Sequence, residues 1–296
     1  MPRLAGMSVG LLALGAALFS ATVASAEAEA PKEKTKLTIC SDPANLPYSN
    51  RAREGFENRI AEVLAADLHA DLDAFWFAEH KGFVRRTLLD GLCDAIISVP
   101  SNFSMVATTR PYFTSSYVAV TRANAQQQFS SFDDAWLRDA RIGLQLVGNE
   151  GATTPPAIAL ARRGFVEHIT SFPMWAEDET SNPQGAIIDA VAKGDVDIAF
   201  VWGPFAEFFA KAHDGKLRVT PVLSDPRSPD QLFVFSMSVG VRKSDEALRD
   251  RLQDALDRHA PEIRKILEEF GTPLTATPAV ERAAEATAAA STDAKR

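Results

Sequence analysis

Short apolar runs and amphipathic segments alternate along this 296-residue chain, and this alternation restricts its fold more than any other feature. Residues 37–40 read as a strand, and apolar side chains over 56–68 then recur at helical spacing. A strand at 72–77, a helix at 83–89 and a buried strand at 94–99 follow. This βαβαβ order predicts a parallel sheet with helices packed on its faces.

The same alternation returns in the second half of the chain. We predict strands at 141–145, 196–201 and 217–223, and helices at 155–163, 184–193 and 205–213. A further strand at 236–241 and two helices, the last of them ending before Gly271, close the pattern. The chain is therefore expected to be an α/β protein with two sheet-based lobes.

The two ends of the chain carry different signals. Arg3 precedes an apolar run at 11–21 that is too short to span a bilayer, and residues 24–26 form a small-residue cleavage site. We expect residues 1–26 to be a signal peptide that is removed, so that the mature protein is exported without membrane insertion, to the periplasm in a Gram-negative cell. Residues 276–296 contain no sizeable apolar set, and we expect a disordered tail there.

Composition and motif content exclude several classes of function. The formal net charge is −8, and it becomes −9 once Arg3 is removed, which argues against a nucleic-acid partner. The five histidines are scattered, and the sequence has no H-E-x-x-H pair, nucleophile elbow, phosphate loop or dinucleotide fingerprint. We therefore expect neither catalysis nor a bound metal or cofactor.

The two cysteines, Cys40 and Cys93, leave two alternatives open. An even count in an oxidising compartment favours a disulfide. If the two flanking strands are parallel neighbours, however, a three-residue offset separates the cysteines by about 10 Å, whereas a bridge needs Cα atoms within roughly 7 Å. The sequence is thus compatible with a disulfide or with two buried thiols.

Several segments resemble extracytoplasmic amino-acid binding proteins, namely 37–42, 45–48, 55–56, 94–98 and 111–113. The resemblance implies a type II periplasmic-binding-protein fold, in which two parallel or mixed-sheet lobes are joined by a two-strand hinge. It places the first lobe at 35–121 plus 234–275 and the second at 122–233. The hinge strands would lie near 118–122 and 230–235.

The residues that hold a free amino acid in that family are missing from this chain. The family carries a Thr-x-x-Arg segment whose arginine binds the ligand carboxylate, but residues 99–104 contain no arginine. An aspartate for the ligand ammonium follows a strand of the family's second lobe, but Trp202 stands at that position. A large aromatic side chain there favours an apolar or protein ligand.

Ligands of open α/β sheets bind at the carboxyl ends of the strands, which defines the candidate cleft residues. They are Asp42, Asn45, Tyr48, Arg110, Tyr112, Asn149 and Trp202. Arg110 either replaces the missing arginine or forms a local ion pair. Tyr48 and Tyr112 either line the cleft or pack beneath it.

A denser set of matches narrows the resemblance to the MoxJ/XoxJ group. The matching segments are 40–50, 55–58, 81–85, 93–94, 109–112, 143–148, 154–156 and 201–204. The resemblance implies an accessory role in PQQ-dependent methanol oxidation, with the methanol dehydrogenase as partner and its cytochrome c as a second one. The alternative is a solute-binding protein of an ABC transporter for a small molecule other than an amino acid.

Overall fold

The computed structural model describes residues 35–80, 82–146, 153–175 and 183–276. The strands are β1 (Thr35–Ser41), β2 (Ala44–Asn45), β3 (Ser49–Asn50), β4 (Ala70–Trp76), β5 (Ala95–Pro100), β6 (Ala107–Thr108), β7 (Phe113–Arg122), β8 (Ile142–Leu146), β9 (Ile169–Pro173), β10 (Ile198–Trp202), β11 (Leu217–Val222) and β12 (Val234–Val241). The α-helices are α1 (Phe56–Asp67), α2 (Pro155–Ala161), α3 (Ala186–Lys193), α4 (Gly203–Ala210), α5 (Glu246–Arg258) and α6 (Ala260–Glu269). The predicted signal peptide, Asn149 and the predicted tail beyond residue 276 lie outside the described residues.

Hydrogen bonds connect most of the strands in the order β4-β1-β5-β12-β7-β10-β8-β9. We call β4, β1, β5, β6 and β12 with helices α1, α5 and α6 the first lobe. The second lobe comprises β8, β9, β10 and β11 with α2, α3 and α4. The β1–β4, β1–β5, β8–β9 and β8–β10 pairs are parallel, as the βαβ pattern predicts.

Strand β7 connects the two lobes. Its first part, from Phe113 to Ser116, pairs with β12, and its second part, from Tyr117 onwards, pairs with β10 and β11. The chain returns through Phe233, whose carbonyl accepts a hydrogen bond from the Tyr117 N–H at 2.9 Å. The hinge strand expected near 118–122 corresponds to the second half of this longer strand, which serves both sheets.

Two elements differ from the sequence-based prediction. The predicted helix at 83–89 closes as a π-helix over Arg85–Leu89. Strand β9 was not predicted, because Thr170 and Ser171 face solvent at the edge of the sheet and give the segment little apolar pattern. Neither difference changes which strand ends meet between the lobes.

The largest hydrophobic cluster runs through both lobes without a break. Phe56, Ile60 and Leu64 of α1 belong to the same cluster as Val201 of β10 and Phe205 of α4. Phe56 is completely buried, and its ring lies 4.5 Å from that of Tyr48 between centroids. Apolar side chains therefore hold the two lobes against each other.

A disulfide joins Cys40 to Cys93, with Cα atoms 5.4 Å apart. Both residues are almost completely buried, at 2% and 1% exposed. Ile39 is the partner of Ala95 in the parallel pair, but Cys93 lies in the turn before β5 and not on the strand. The separation of about 10 Å expected from the sequence assumed that Cys93 continues the line of β5. Because Cys93 lies in a turn before that strand, its Cα comes to 5.4 Å from that of Cys40.

Candidate functional site

The ends of β10 and of the loop between β2 and β3 meet in a direct contact between the lobes. The indole Nε1–H of Trp202 donates a 2.6 Å hydrogen bond to the hydroxyl of Tyr48. The Tyr48 ring also lies 5.2 Å from the ring of Phe205, and Tyr48 is only 6% exposed. We call the Trp202–Tyr48 pair the interlobe contact. It lies at the carboxyl ends of strands, where open α/β sheets receive their ligands.

The local sequence fixes Trp202 in this position. Trp202 is the last residue of β10, its backbone N–H donates to Oε1 of Gln145 at 2.8 Å, and α4 begins at the next residue. A Cβ on Gly203 would lie 2.7 Å from the carbonyl oxygen of Ser116 and 2.5 Å from Pro273, so only glycine fits there. The indole is also enclosed by the rings of Tyr117 and Phe235, at 5.4 and 5.9 Å.

A second connection between the lobes runs through Asn45. The side-chain amide of Gln184, just before α3, donates to Oδ1 of Asn45 at 2.8 Å and to the Ala44 carbonyl at 3.3 Å. Nδ2 of Asn45 in turn donates to Oε2 of Glu79 at 2.9 Å. A polar chain thus runs from the second lobe, through Asn45, to a carboxylate of the first lobe.

Three carboxyl groups lie beneath these contacts, and we call Asp42, Glu57 and Glu79 the acidic cluster. The carboxylate of Asp42 accepts the backbone N–H groups of Ala44, at 2.7 Å, and of Glu79. Glu57 is in the first turn of α1 and accepts hydrogen bonds from the side chain and backbone of Ser98. Asp42 and Glu57 are 5% and 8% exposed, whereas Glu79 lies nearer the surface.

Burial shifts the protonation of this cluster towards the neutral form. It raises the pKa of Glu57 to about 8, and repulsion from Glu79 and Asp42 adds to the rise, against the hydrogen bonds from Ser98. The pKa of Glu79 is raised by burial and by repulsion from Asp42, although Asn45 opposes this. Because Glu79 is the more exposed of the two, we expect its pKa to rise less. Burial also raises the pKa of Asp42.

The remaining predicted residues are divided between this site and the surface. Tyr112 approaches the cluster, since its hydroxyl lies 2.8 Å from Oγ of Ser98, which also bonds Glu57. Arg110 is not brought to the contact, because its guanidinium pairs with Asp257 of α5 and its side chain is 64% exposed. Its position corresponds to the local ion pair and not to a replacement for the missing arginine.

Sequence reasoning missed Glu57, Glu79 and Gln184. Glu79 follows the carboxyl end of β4, so the strand-end rule would have included it. Glu57 has the appearance of an ordinary acidic residue in the first turn of a helix, where acids are favoured for local reasons. Gln184 reaches Asn45 across 139 positions of sequence, and no local pattern predicts such a pairing.

The contacts at this site join groups of the two lobes that are suited to recognition. Within the described ranges, no group of three His, Cys, Asp or Glu side chains is arranged to hold a metal ion. None of the described helices has the length and apolar character needed to cross a bilayer. The groups that would receive a ligand contact one another directly, through Trp202, Tyr48, Asn45 and Gln184.

The interlobe contact is expected to contribute measurably to stability. Trp202→Phe removes the donor and Tyr48→Phe the acceptor of one hydrogen bond, so each change should cost about 1 kcal/mol of unfolding free energy. In a urea-denaturation double-mutant cycle, the paired variant should lose about 0.5–1 kcal/mol less than the sum of the singles. Trp202→Phe combined with Tyr112→Phe is the control and should be additive. Additive losses in the first cycle would contradict the contact.

Two curated proteins are similar to this chain over most of its length. One is MoxJ of Paracoccus denitrificans, 30% identical over 261 residues that cover 82% of this chain and 90% of that protein. The other is MoxJ of Methylorubrum extorquens, 28% identical over 263 residues that cover 86% of each chain. No protein-family model matches the sequence.

Solved structures show the same fold. The periplasmic binding protein XoxJ of Methylobacterium extorquens AM1 superposes with a TM-score of 0.66 at 31% identity, covering 81% of this chain and all of that one. An ancestral cationic amino-acid solute-binding protein gives a TM-score of 0.60 at 19% identity, covering 79% of this chain and 95% of that one. The predicted bilobed, type II binding-protein fold is thereby confirmed. With the identity and coverage of the MoxJ relatives, this places the chain in the MoxJ/XoxJ family.

Proposed function

We propose that this chain is a periplasmic accessory protein of PQQ-dependent methanol oxidation, which binds the methanol dehydrogenase and supports its activation. Membership of the MoxJ/XoxJ family supports this role, and the relative XoxJ is described as a periplasmic binding protein. The signal peptide predicted at 1–26 supports export to the periplasm. The dehydrogenase is the principal partner, and its cytochrome c is the second candidate.

The interlobe contact is the observation that carries the proposal. A receptor for a small solute needs a cavity with a few well-placed polar groups. Here the position of the family's ammonium-binding aspartate holds Trp202, whose indole is bonded to Tyr48 across the lobes. Aromatic residues of this kind supply much of the binding energy at protein–protein interfaces. We therefore assign the surface around Trp202 and Tyr48 to a protein partner.

The binding of the dehydrogenase can be tested with the full mature chain. We expect the purified protein and purified methanol dehydrogenase to form a complex in analytical ultracentrifugation. Deletion of the gene should lower dehydrogenase activity in periplasmic extracts. Trp202→Ala should weaken the complex at least tenfold, and Arg110→Ala, on the exposed face near α5, should leave it unchanged.

The purified protein also tests the alternative that this chain is a solute-binding protein of a transporter. A small metabolite present at 100 times its dissociation constant would stabilise its receptor by about 2.7 kcal/mol in a thermal-shift screen. We expect no stabilisation of this size from free metabolites. Absence of a complex, together with unchanged dehydrogenase activity in the deletion strain, would overturn the proposal.

A further inference from the structure

We propose that the interlobe contact is a pH-sensitive latch, which stays closed while the acidic cluster beneath it holds protons and opens when the cluster loses them. The inference concerns the motion of the two lobes and does not depend on the identity of the partner. It rests on the contacts that join the cluster to the two connections between the lobes.

Each of the two connections between the lobes reaches the acidic cluster through a single residue, which is Asn45 in one connection and Tyr48 in the other. Asn45 accepts from Gln184 of the second lobe at 2.8 Å and donates to Glu79 at 2.9 Å. Tyr48 accepts a hydrogen bond from Trp202 at 2.6 Å. Burial raises the pKa of the Tyr48 hydroxyl most, and the nearby carboxylate of Glu57 raises it further. Any movement of the second lobe therefore changes the surroundings of Glu57 and Glu79.

The second lobe also keeps water from Glu57, the buried glutamate of the cluster. The ring of Phe205 packs on Tyr48 at 5.2 Å, and the indole of Trp202 covers the hydroxyl. Tyr48 in turn packs on Phe56, the residue that precedes Glu57 at the start of α1. Separation of the lobes would uncover Tyr48 and Asn45 and admit water to Glu57, whereas Glu79 is exposed already in the closed state.

The groups facing the cluster come from several elements, and most of them do not compensate negative charge. Ser98 of β5, Tyr112 before β7 and Tyr48 are neutral neighbours of Glu57. His80, after β4, acts favourably on Asp42. The carboxylates of the cluster repel one another, since Asp42 and Glu79 both raise the pKa of Glu57 and Asp42 raises that of Glu79.

The direction of the effect follows from linkage between protonation and conformation. The closed state raises the pKa of Glu57 to about 8, whereas a hydrated glutamate in the open state titrates near 4.5. Protons therefore favour the closed state, and this preference is lost as pH rises through about 8. Above that pH the closed latch would hold three carboxylates together, and hydration of the open state relieves their repulsion.

The indole N–H signal of Trp202 in a ¹H–¹⁵N NMR spectrum reports the latch directly. The mature protein is titrated from pH 5 to 9.5, with Trp202→Phe used for assignment and the Trp136 indole as an internal control. We expect the Trp202 shift to move between hydrogen-bonded and free values with a midpoint between pH 6.5 and 8.5. Its protection against hydrogen exchange, relative to Trp136, should fall at least tenfold across this range.

Isosteric neutral substitutions test the cause. In Glu57→Gln/Glu79→Gln the Trp202 signal should stay at the closed position throughout, and Glu62→Gln, on an exposed face of α1, should behave like the wild type. If the double variant does not fold, Glu57→Gln alone should shift or flatten the titration. A Trp202 signal that does not change with pH, a shift without loss of protection, or a titration unaltered by the substitutions would each overturn the proposal.

Discussion

Loss of the Cys40–Cys93 disulfide should lower the free energy of unfolding by about 4 kcal/mol. The bridge spans 53 positions of sequence, and in the chain-entropy model a loop of this length restricts the unfolded chain by about that amount. Both cysteines are buried next to Leu88 and Ile96 in a small hydrophobic cluster. The folded chain therefore gains little conformational entropy when the bond is lost, and the unfolded chain gains most of it. The measurement is urea denaturation of Cys40→Ala/Cys93→Ala against the oxidised wild type.

Two controls separate the cross-link from packing. The reduced wild type keeps both sulfur atoms in the core, so a comparable loss on reduction assigns the effect to the bond itself. Cys40→Ala alone also breaks the bond and should lose nearly as much stability as the double variant. A reduced wild type that remains within about 1 kcal/mol of the oxidised protein would contradict the prediction.

The elements of the fold were predictable where burial imposes a regular pattern. The spacing of Phe56, Ile60 and Leu64 predicts α1, and the apolar run ending at Val201 predicts β10, because both segments face the core. The edge strand β9 has no such constraint and escaped prediction. The disulfide was undecided for a geometric reason, since the turn that carries Cys93 off the line of β5 is set by three-dimensional packing.

The sequence predicted individual residues of the candidate site in each lobe, but not the contact between them. Strand-end reasoning selected Trp202 and Tyr48 separately, but their positions differ by 154 in sequence, and nothing local predicts that one donates to the other. For Arg110 the sequence left a replacement for the missing arginine and a local ion pair as alternatives, and its guanidinium pairs with Asp257 of α5 at the surface. The sequence thus predicts Trp202 and Tyr48 as residues of an altered ligand site, whereas in the structure they bind each other across the two lobes.

Glu57→Gln should make the protein more stable at alkaline pH, in contrast to most substitutions of buried residues. Folding raises the pKa of Glu57 from 4.5 to about 8, so between these values the folded state holds a proton that the unfolded state has released. The unfolding free energy of the wild type therefore falls as pH rises through this window, by up to about 1.4 kcal/mol per pH unit from this group. Over the whole window the loss is on the order of 5 kcal/mol.

The glutamine variant carries no proton to lose, and Ser98 can still donate to its side-chain oxygen. Its stability should match that of the wild type near pH 5 and exceed it at pH 9, as measured by urea denaturation at closely spaced pH values. Glu62→Gln, an exposed position on the same helix, should follow the wild-type curve. If Glu57→Gln were equally destabilised at pH 5 and pH 9, the carboxyl group would be ionised in the folded protein at both. The acidic cluster would then have to be balanced by positive charge.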